Sequence, residues 1–252
     1  PFQWTKQVAS HWGGTRNGTI VHWPAGITSK GETRSQFTHV IDVSPTILEA
    51  AGIPEPTFVN GVQQSPIEGT SMNYTFESAE APERHDLQYF EMAGNRGIYY
   101  KGWSAVTRHS TPWLPNEELP ALDDDVWELY DGLNDWSQAR DLSKEQPERL
   151  AALQRLWLIE AVKYNVLPID DRRFERLNAT IAGRPQLIKG TTQVLFPGMK
   201  RLSEHSVLDI KNRSFSVTAA VDTAKKGVTN GVIIAQGGRF GGWALYVKDG
   251  YA

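Results

Sequence analysis

The sequence contains no cysteine among its 252 residues. Disulfides, thiolate metal sites and a cysteine nucleophile of its own are therefore excluded. No run approaches the roughly 18 apolar residues that a membrane-spanning helix needs. Neither sign of charge dominates: 26 Lys and Arg face 29 Asp and Glu, a formal net charge of −3. That balance argues against a dedicated nucleic-acid binder. Familiar chemical motifs are missing as well: there is no Gly-x-Ser-x-Gly elbow, no His-Glu-x-x-His and no phosphate-cradling loop ending in Lys-Ser/Thr. The chain opens on Pro1 rather than methionine and closes on a turn signal, Lys248-Asp249-Gly250-Tyr251-Ala252. The expectation from both ends is a fragment of a longer protein. Nothing in the composition fixes the compartment.

What is present is an ordinary globular composition, 40 % hydrophobic and 22 % charged, long enough for one large domain or two smaller ones. Four Asn-x-Ser/Thr sites, at Asn17, Asn73, Asn178 and Asn212, are no more than chance supplies at this length. Charge is unevenly spread. Residues 177–252 carry 10 Lys and Arg against 4 Asp and Glu, a local +6, and residues 1–176 carry 16 against 25, a local −9. The step suggests a boundary near residue 177.

Hydrophobic periodicity gives a mixed order of elements. Residues 18–24 read as a short buried strand stopped by Pro24. Residues 42–51 read as a helix with Ser44 as N-cap, Pro45 at its first position, Gly52 at its end, and Ile47, Leu48 and Ala51 on one apolar stripe. Residues 87–92, 96–100, 104–107 and 127–130 read as strands of a small antiparallel sheet, with Gly102 near a turn. Residues 145–164, with Pro147 in the first turn, give the strongest helix signal. The tail reads as β-rich: residues 214–221, 228–236 and 243–247 are its strand candidates, and residues 237–242 form a hairpin loop.

Several clusters invite a chemical reading. Asp123-Asp124-Asp125 and Asp170-Asp171 could attract hard cations, but a solvated loop and surface ion pairs with Arg172 and Arg173 are favoured. None of the six histidines stands at metal-ligand spacing to another. His22, inside a strand candidate, reads as a core or edge residue. Lys6, His11 and Arg16 surround the Gly13-Gly14 pair and could grip an oxyanion. The bland reading of the same residues is a turn with flanking surface charges.

At these residues the sequence resembles the type I sulfatases of the alkaline phosphatase superfamily, most closely the bacterial-type arylsulfatases. His11-Trp12-Gly13-Gly14-Thr15-Arg16-Asn17, followed by Ile20-Val21-His22-Trp23-Pro24-Ala25-Gly26, is similar to the family's Gly-Gly-x-Arg block and the strand end after it. Ile41-Asp42-Val43-Ser44-Pro45-Thr46-Ile47-Leu48 with Ala51-Gly52-Ile53 resembles its Asp-x-x-Pro-Thr helix, and Gly69-Thr70-Ser71 the motif that follows. Glu128-Leu129-Tyr130-Asp131 with Ala139, Asp141 and Leu142 is similar to the end of the catalytic region. The blocks keep the family's order over roughly residues 1–165.

The resemblance implies an α/β fold. The expectation is the C-terminal part of an alkaline-phosphatase-like sulfatase domain (1–110), then a small subdomain with a packing helix (111–176), then a truncated β-rich, jelly-roll-like appendage (177–252). It implies hydrolysis of small-molecule sulfate esters by a formylglycine nucleophile and a divalent cation, usually Ca²⁺. The family's sulfate-binding lysine points to Lys6 as the catalytic and substrate-binding residue, with His11 as a second substrate contact. Two departures stand out. Lys6 lies seven residues before Gly13, where many members have six, and neither Cys-x-Pro-x-Arg nor Ser-x-Pro-x-Arg occurs. The nucleophile and metal ligands are thus expected upstream of this chain, no metal site is expected within it, and Arg16 is expected to order the loop rather than touch sulfate. A phosphate or phosphonate monoesterase of the same superfamily, or a non-catalytic glycan-binding module using the basic tail, remains an alternative.

Overall fold

The computed structural model describes all residues except 115, 223–228, 239–240 and 252; the side chains of residues 177, 179 and 180 are likewise left undescribed. The chain divides into two compact units, Pro1–Asn178 and Ala179–Ala252.

The first unit is a mixed α and β structure built around one sheet and one helix. Its elements in chain order are α1 (Trp12–Thr15), α2 (Val43–Ala50), the small pair β1 (Phe58–Val59) and β2 (Val62–Gln63), α3 (Asn73–Glu77), β3 (Leu87–Met92), β4 (Asn95–Tyr100), β5 (Trp103–Thr107), β6 (Trp127–Asp131) and α4 (Pro147–Lys163). Strands β3 to β6 form an antiparallel meander in sequence order. Lys101 and Gly102, both at positive φ, make the tight β4–β5 turn, which suits a two-residue hairpin loop. Helix α4 lies on this sheet. Leu153, Trp157 and Ala161 recur every four residues, fall on one face, and pack against Ile98, Ala105 and Leu129. The Trp157 indole donates to the Phe90 carbonyl at 3.1 Å, which leaves no buried polar atom on that ring unpaired.

The sheet and α4 match the sequence pattern, but the border expected at residue 110 does not divide the structure. Strand β6 pairs with β5 across it, Leu129 opposite Ala105. Residues 18–24 are not a strand. They have no ladder partner among the described residues, Ile20 is 96 % exposed, and His22 is exposed rather than in a core. Helix α2 begins at Val43, before Ser44, continuing directly from a turn whose last residue is Asp42. The Asp42 carboxylate accepts the backbone N–H of His39 at 2.7 Å, ahead of that 3-10 turn, Val40–Asp42. The buried residue of α2 is Thr46, next to the buried Asp42 before it, and Ile47 stays 61 % exposed. Ile47, Ile20 and Trp23 instead line an open apolar groove of about 560 Å³.

The second unit holds the short helix α5 (Ala179–Ala182) and one hairpin, β7 (Gly231–Gly238) with β8 (Gly241–Val247). Among the described residues no jelly roll is seen: residues 214–221 form no strand, and Phe215 and Val221 are exposed. The strand expected from residue 228 begins at Gly231; residue 228 itself, like 239 and 240 of the expected loop, lies outside the described residues. Asp249 and Gly250, both at positive φ, turn the chain so that Lys248 and Tyr251 bond reciprocally. The first half of this unit is held by local links such as Gln193, which bonds the Ser206 carbonyl and the Leu208 N–H.

Candidate functional site

Residues 3–16 form a loop folded over the short helix α1, and glycine makes that fold possible. A Cβ on Gly13 would sit 2.1 Å from the Gln3 carbonyl oxygen, and one on Gly14 would sit 1.9 Å from that of Val8. Both are far inside contact distance with backbone that cannot swing away. The Gly13 N–H donates to the same Gln3 carbonyl at 3.1 Å. The glycine pair therefore lets two backbone segments touch.

The loop is fixed to the sheet by buried polar side chains. Gln138, fully buried, accepts the Trp12 N–H at 2.7 Å and donates to Ser104 Oγ at 3.0 Å. Gln3 donates to the Gln138 carbonyl and to Tyr130 Oη. His11 is fully buried between two partners. Its Nε2 lies 3.0 Å from Glu128 Oε2, and its Nδ1 lies 3.1 Å from Ser10 Oγ. Glu128 accepts, so Nε2 carries a proton. Burial alone would raise the Glu128 carboxyl, but hydrogen bonds from His11 and Tyr130 outweigh it and hold the group below its ordinary value. The Tyr130 hydroxyl is pushed up by burial and by Glu128.

Lys6 sits at the apex of this loop, exposed and without an ion-pair partner among the described residues. Trp4 and Gln7, on either side of it, both adopt positive φ, at 61° and 75°. Such backbone costs on the order of 1–3 kcal/mol per residue and persists only where the surroundings over-determine it. Here the surroundings are the glycine pair and Gln138. Arg16 behaves as expected of an organiser: its guanidinium stacks 4.7 Å from the Trp12 ring and bonds the Trp136 carbonyl.

The structure thus separates the two predicted site residues. Lys6 faces solvent. His11 faces inward with both ring nitrogens engaged, so its expected direct contact with substrate does not fit its burial. The sequence reading missed Gln138, a lone polar residue in a loop with no periodic signal. It also missed Trp4 and Gln7, whose backbone conformation no composition reveals.

Two other charged clusters prove structural. Asp123 and Asp124 are exposed as expected, but the Asp125 side chain is buried against Arg96 and His109, 2.9 Å from His109 Nδ1. Asp170 pairs with Arg172 at 2.8 Å, and Asp171 reaches His109 Nε2 at 3.3 Å. The fully buried Asp42 binds His85 Nδ1 at 2.8 Å and accepts the N–H of Thr70 at 2.7 Å. Burial would raise the Asp42 carboxyl, but the His85 hydrogen bond and the two backbone donors outweigh it and hold it low. Burial would lower His85, but Asp42 outweighs it and holds the imidazole high. Among the described residues no group of three or more His, Asp or Glu side chains is arranged to hold a metal ion, and no helix is long and apolar enough to cross a membrane.

The sulfatase family model matches residues 1–53, the segment that contains the loop. An uncharacterized sulfatase of Schizosaccharomyces pombe is 26 % identical over 161 residues, 63 % of this chain and 27 % of that protein. The chain therefore spans about a quarter of the length of this curated relative. Among solved structures, one described as a complex with its substrate D-glucosamine-2-N,6-O-disulfate aligns at 20 % identity with a TM-score of 0.42, over 61 % of this chain and 30 % of that one. Another, from the metabolism of multiple glycosaminoglycans by Bacteroides thetaiotaomicron, aligns at 21 % identity with a TM-score of 0.45, over 62 % and 31 %. Over residues 1–53, and in its curated relative, what the chain is similar to is the sulfatases.

Proposed function

We propose that this chain supplies the Lys6 loop to a sulfuric ester hydrolase, with Lys6 contacting the sulfate group of the substrate. The observation that carries the reading is the loop itself. A lysine without an ion-pair partner among the described residues stands between two residues of left-handed backbone, on a scaffold of close-packed glycines and the buried Gln138, inside the segment that matches the sulfatase family. The ammonium acts there as a compact point charge that stabilises a sulfuryl oxygen as negative charge develops. His11 serves binding indirectly, by locking the loop to Glu128 beneath it.

In this reading a formylglycine nucleophile and a divalent cation, Ca²⁺ in most of the family, come from a segment outside these 252 residues. The residues present do not fit either group. There is no cysteine, no Ser-x-Pro-x-Arg, and no metal-holding cluster among the described residues. No step of the chemistry is therefore routed through this chain beyond binding and orienting the sulfate.

Replacing Lys6 with Ala in the full-length enzyme is the test. Loss of one preorganised charge aimed at the transition state costs about 100- to 1000-fold in kcat/KM. Unchanged turnover on sulfate esters would remove Lys6 from the site. The purified 252-residue chain is expected to show no turnover by itself, and measurable hydrolysis would refute an external nucleophile.

A further inference from the structure

We infer that the cleft between the C-terminal end of α4 and the first residues of β3 is a binding site for a small organic ammonium ion. Neither the Lys6 loop nor its anchors Gln138 and Glu128 line it, so the inference stands apart from the reading of Lys6 above. The cleft is a cavity of about 240 Å³ whose wall includes His39, Glu68, His85, Tyr89, Glu160 and Tyr164. That volume is below the ~300 Å³ at which drug-sized sites begin, so its ligand is small.

The wall is held in place from several sides. The Thr70 N–H donates to the Asp42 carboxylate at 2.7 Å, and a Cβ on Gly69 would sit 2.1 Å from the Ile41 carbonyl oxygen. The segment carrying Glu68 therefore lies hard against the turn that follows His39. Trp157 and Ala161 seat α4 on the sheet, and Glu160 with it. Tyr89 and Tyr164 stack between β3 and the end of α4, with ring centroids 5.4 Å apart.

Apart from the Tyr89 hydroxyl, which can do either, the groups left free on this wall accept hydrogen bonds. His85 offers a ligand no donor, because Nδ1 faces Asp42 at 2.8 Å and Nε2 faces Gln88 Oε1 at 3.1 Å. Glu68 accepts the Tyr164 hydroxyl at 2.8 Å through Oε2. Its Oε1 and both oxygens of Glu160 have no hydrogen-bond partner among the described residues. His39 Nδ1 is buried and likewise unpartnered. Burial and the neighbouring His85 lower the His39 pKa, so the ring is neutral and can accept. A primary ammonium carries three N–H donors and no acceptor, the complement of that set. The chain's own Lys163 marks the sign of the field. It does not line the cavity, yet its ammonium rests 4.6 Å from the Tyr164 ring centroid, and the Tyr164 hydrogen bond, Glu160 and Glu68 raise its pKa. An anion would meet two carboxylates here, and a neutral alcohol would gain no charge-assisted bond.

The experiment titrates the full-length enzyme near neutral pH with n-butylammonium chloride and with 1-butanol, its neutral isostere, by isothermal titration calorimetry. Butylammonium is expected to bind with a Kd on the order of 1 mM, about what five non-hydrogen atoms sustain. Butanol is expected to bind at least about 10-fold more weakly, the difference of one charge-assisted contact. Equal affinities, or no binding of butylammonium at about ten times that Kd, overturn the inference. Variants then place the ion. Glu160→Gln is expected to weaken butylammonium about 10-fold, and Glu68→Gln, at an exposed position, about 3-fold. Both are expected to keep the parent's turnover of sulfate esters, which separates this site from Lys6. Undiminished affinity in both variants overturns the assignment to this cleft. If Glu160→Gln fails to fold, Glu68→Gln and Lys163→Met decide. The first must weaken binding, and the second, by removing the chain's own cation, must strengthen it; absence of either change overturns the inference.

Discussion

The sheet of the first unit and the hairpin of the second are written in the same alternating code, yet only one of them has an interior. Strand β4 has five of its six residues buried, because β3 and β5 flank it and α4 covers one face. Strand β8 has no buried residue among its seven, and β7 is its single partner among the described residues. Trp157 and Trp243 mark the contrast. The first is enclosed at 4 % exposure, and the second touches Phe215 with ring centroids 5.1 Å apart while remaining part-exposed. Alternation selects which residues face one way. Whether that face becomes a core depends on a second layer.

The sharpest way to break the comparison is to truncate both tryptophans. Trp157→Ala should cost about 3–5 kcal/mol of stability, the usual loss for a large buried side chain. Trp243→Ala should leave the unfolding of the first unit within about 0.5 kcal/mol of the parent. Urea titration followed by far-UV circular dichroism measures both, and similar losses would show that the two units share one cooperative core.

A second contrast lies between glycines of the same block. Gly13→Ala drives a Cβ into backbone on two sides, and about 2 kcal/mol or more should be lost, with displacement of the Lys6 loop. A Cβ on Gly18 meets nothing within 4 Å, and Gly18→Ala should change stability by less than about 0.5 kcal/mol.

A smaller effect tests Asp42–His85 through pH. The folded-state pKa of His85 is raised, so its stabilisation is fully present below its unfolded value near 6.5 and is lost as pH rises through the folded value. The folded-state pKa of Asp42 is lowered, so its contribution is present above its unfolded value near 3.8 and is lost as pH falls through the folded one. The stability difference between the parent and His85→Gln should therefore be largest between about pH 4 and pH 6.5 and shrink on both sides. A difference that is flat with pH would show that His85 is held neutral.

Much of the first unit was legible because its signals are local and periodic. The four strands and α4 follow from spacing, with Pro147 at the start of the helix and Gly102 near the turn. Residues 18–24 misled for an instructive reason. Their apolar run is real, but no neighbouring strand meets it, so Ile20 lies open and Ile47 with it. The sequence-family blocks located the Lys6 loop, and the loop's mechanics stayed hidden. Gln138 anchors it from more than 120 residues away, and no short-range pattern encodes such a partner. The same holds for Asp125, which reads as one member of a solvated acidic run until the structure places Arg96 and His109 against it. In the tail, 214–221 alternates well and still forms no strand, since alternation without a pairing edge is only a tendency.

In the role proposed for Lys6, the glycine pair beneath it has a consequence for the heat and rate of recognition. A loop held on both sides by backbone contact and buried amides is ordered before any ligand arrives. Its conformational entropy was given up when the chain folded, so an anion meeting Lys6 has no loop to organise. Association then follows diffusion and charge instead of waiting on a closing motion.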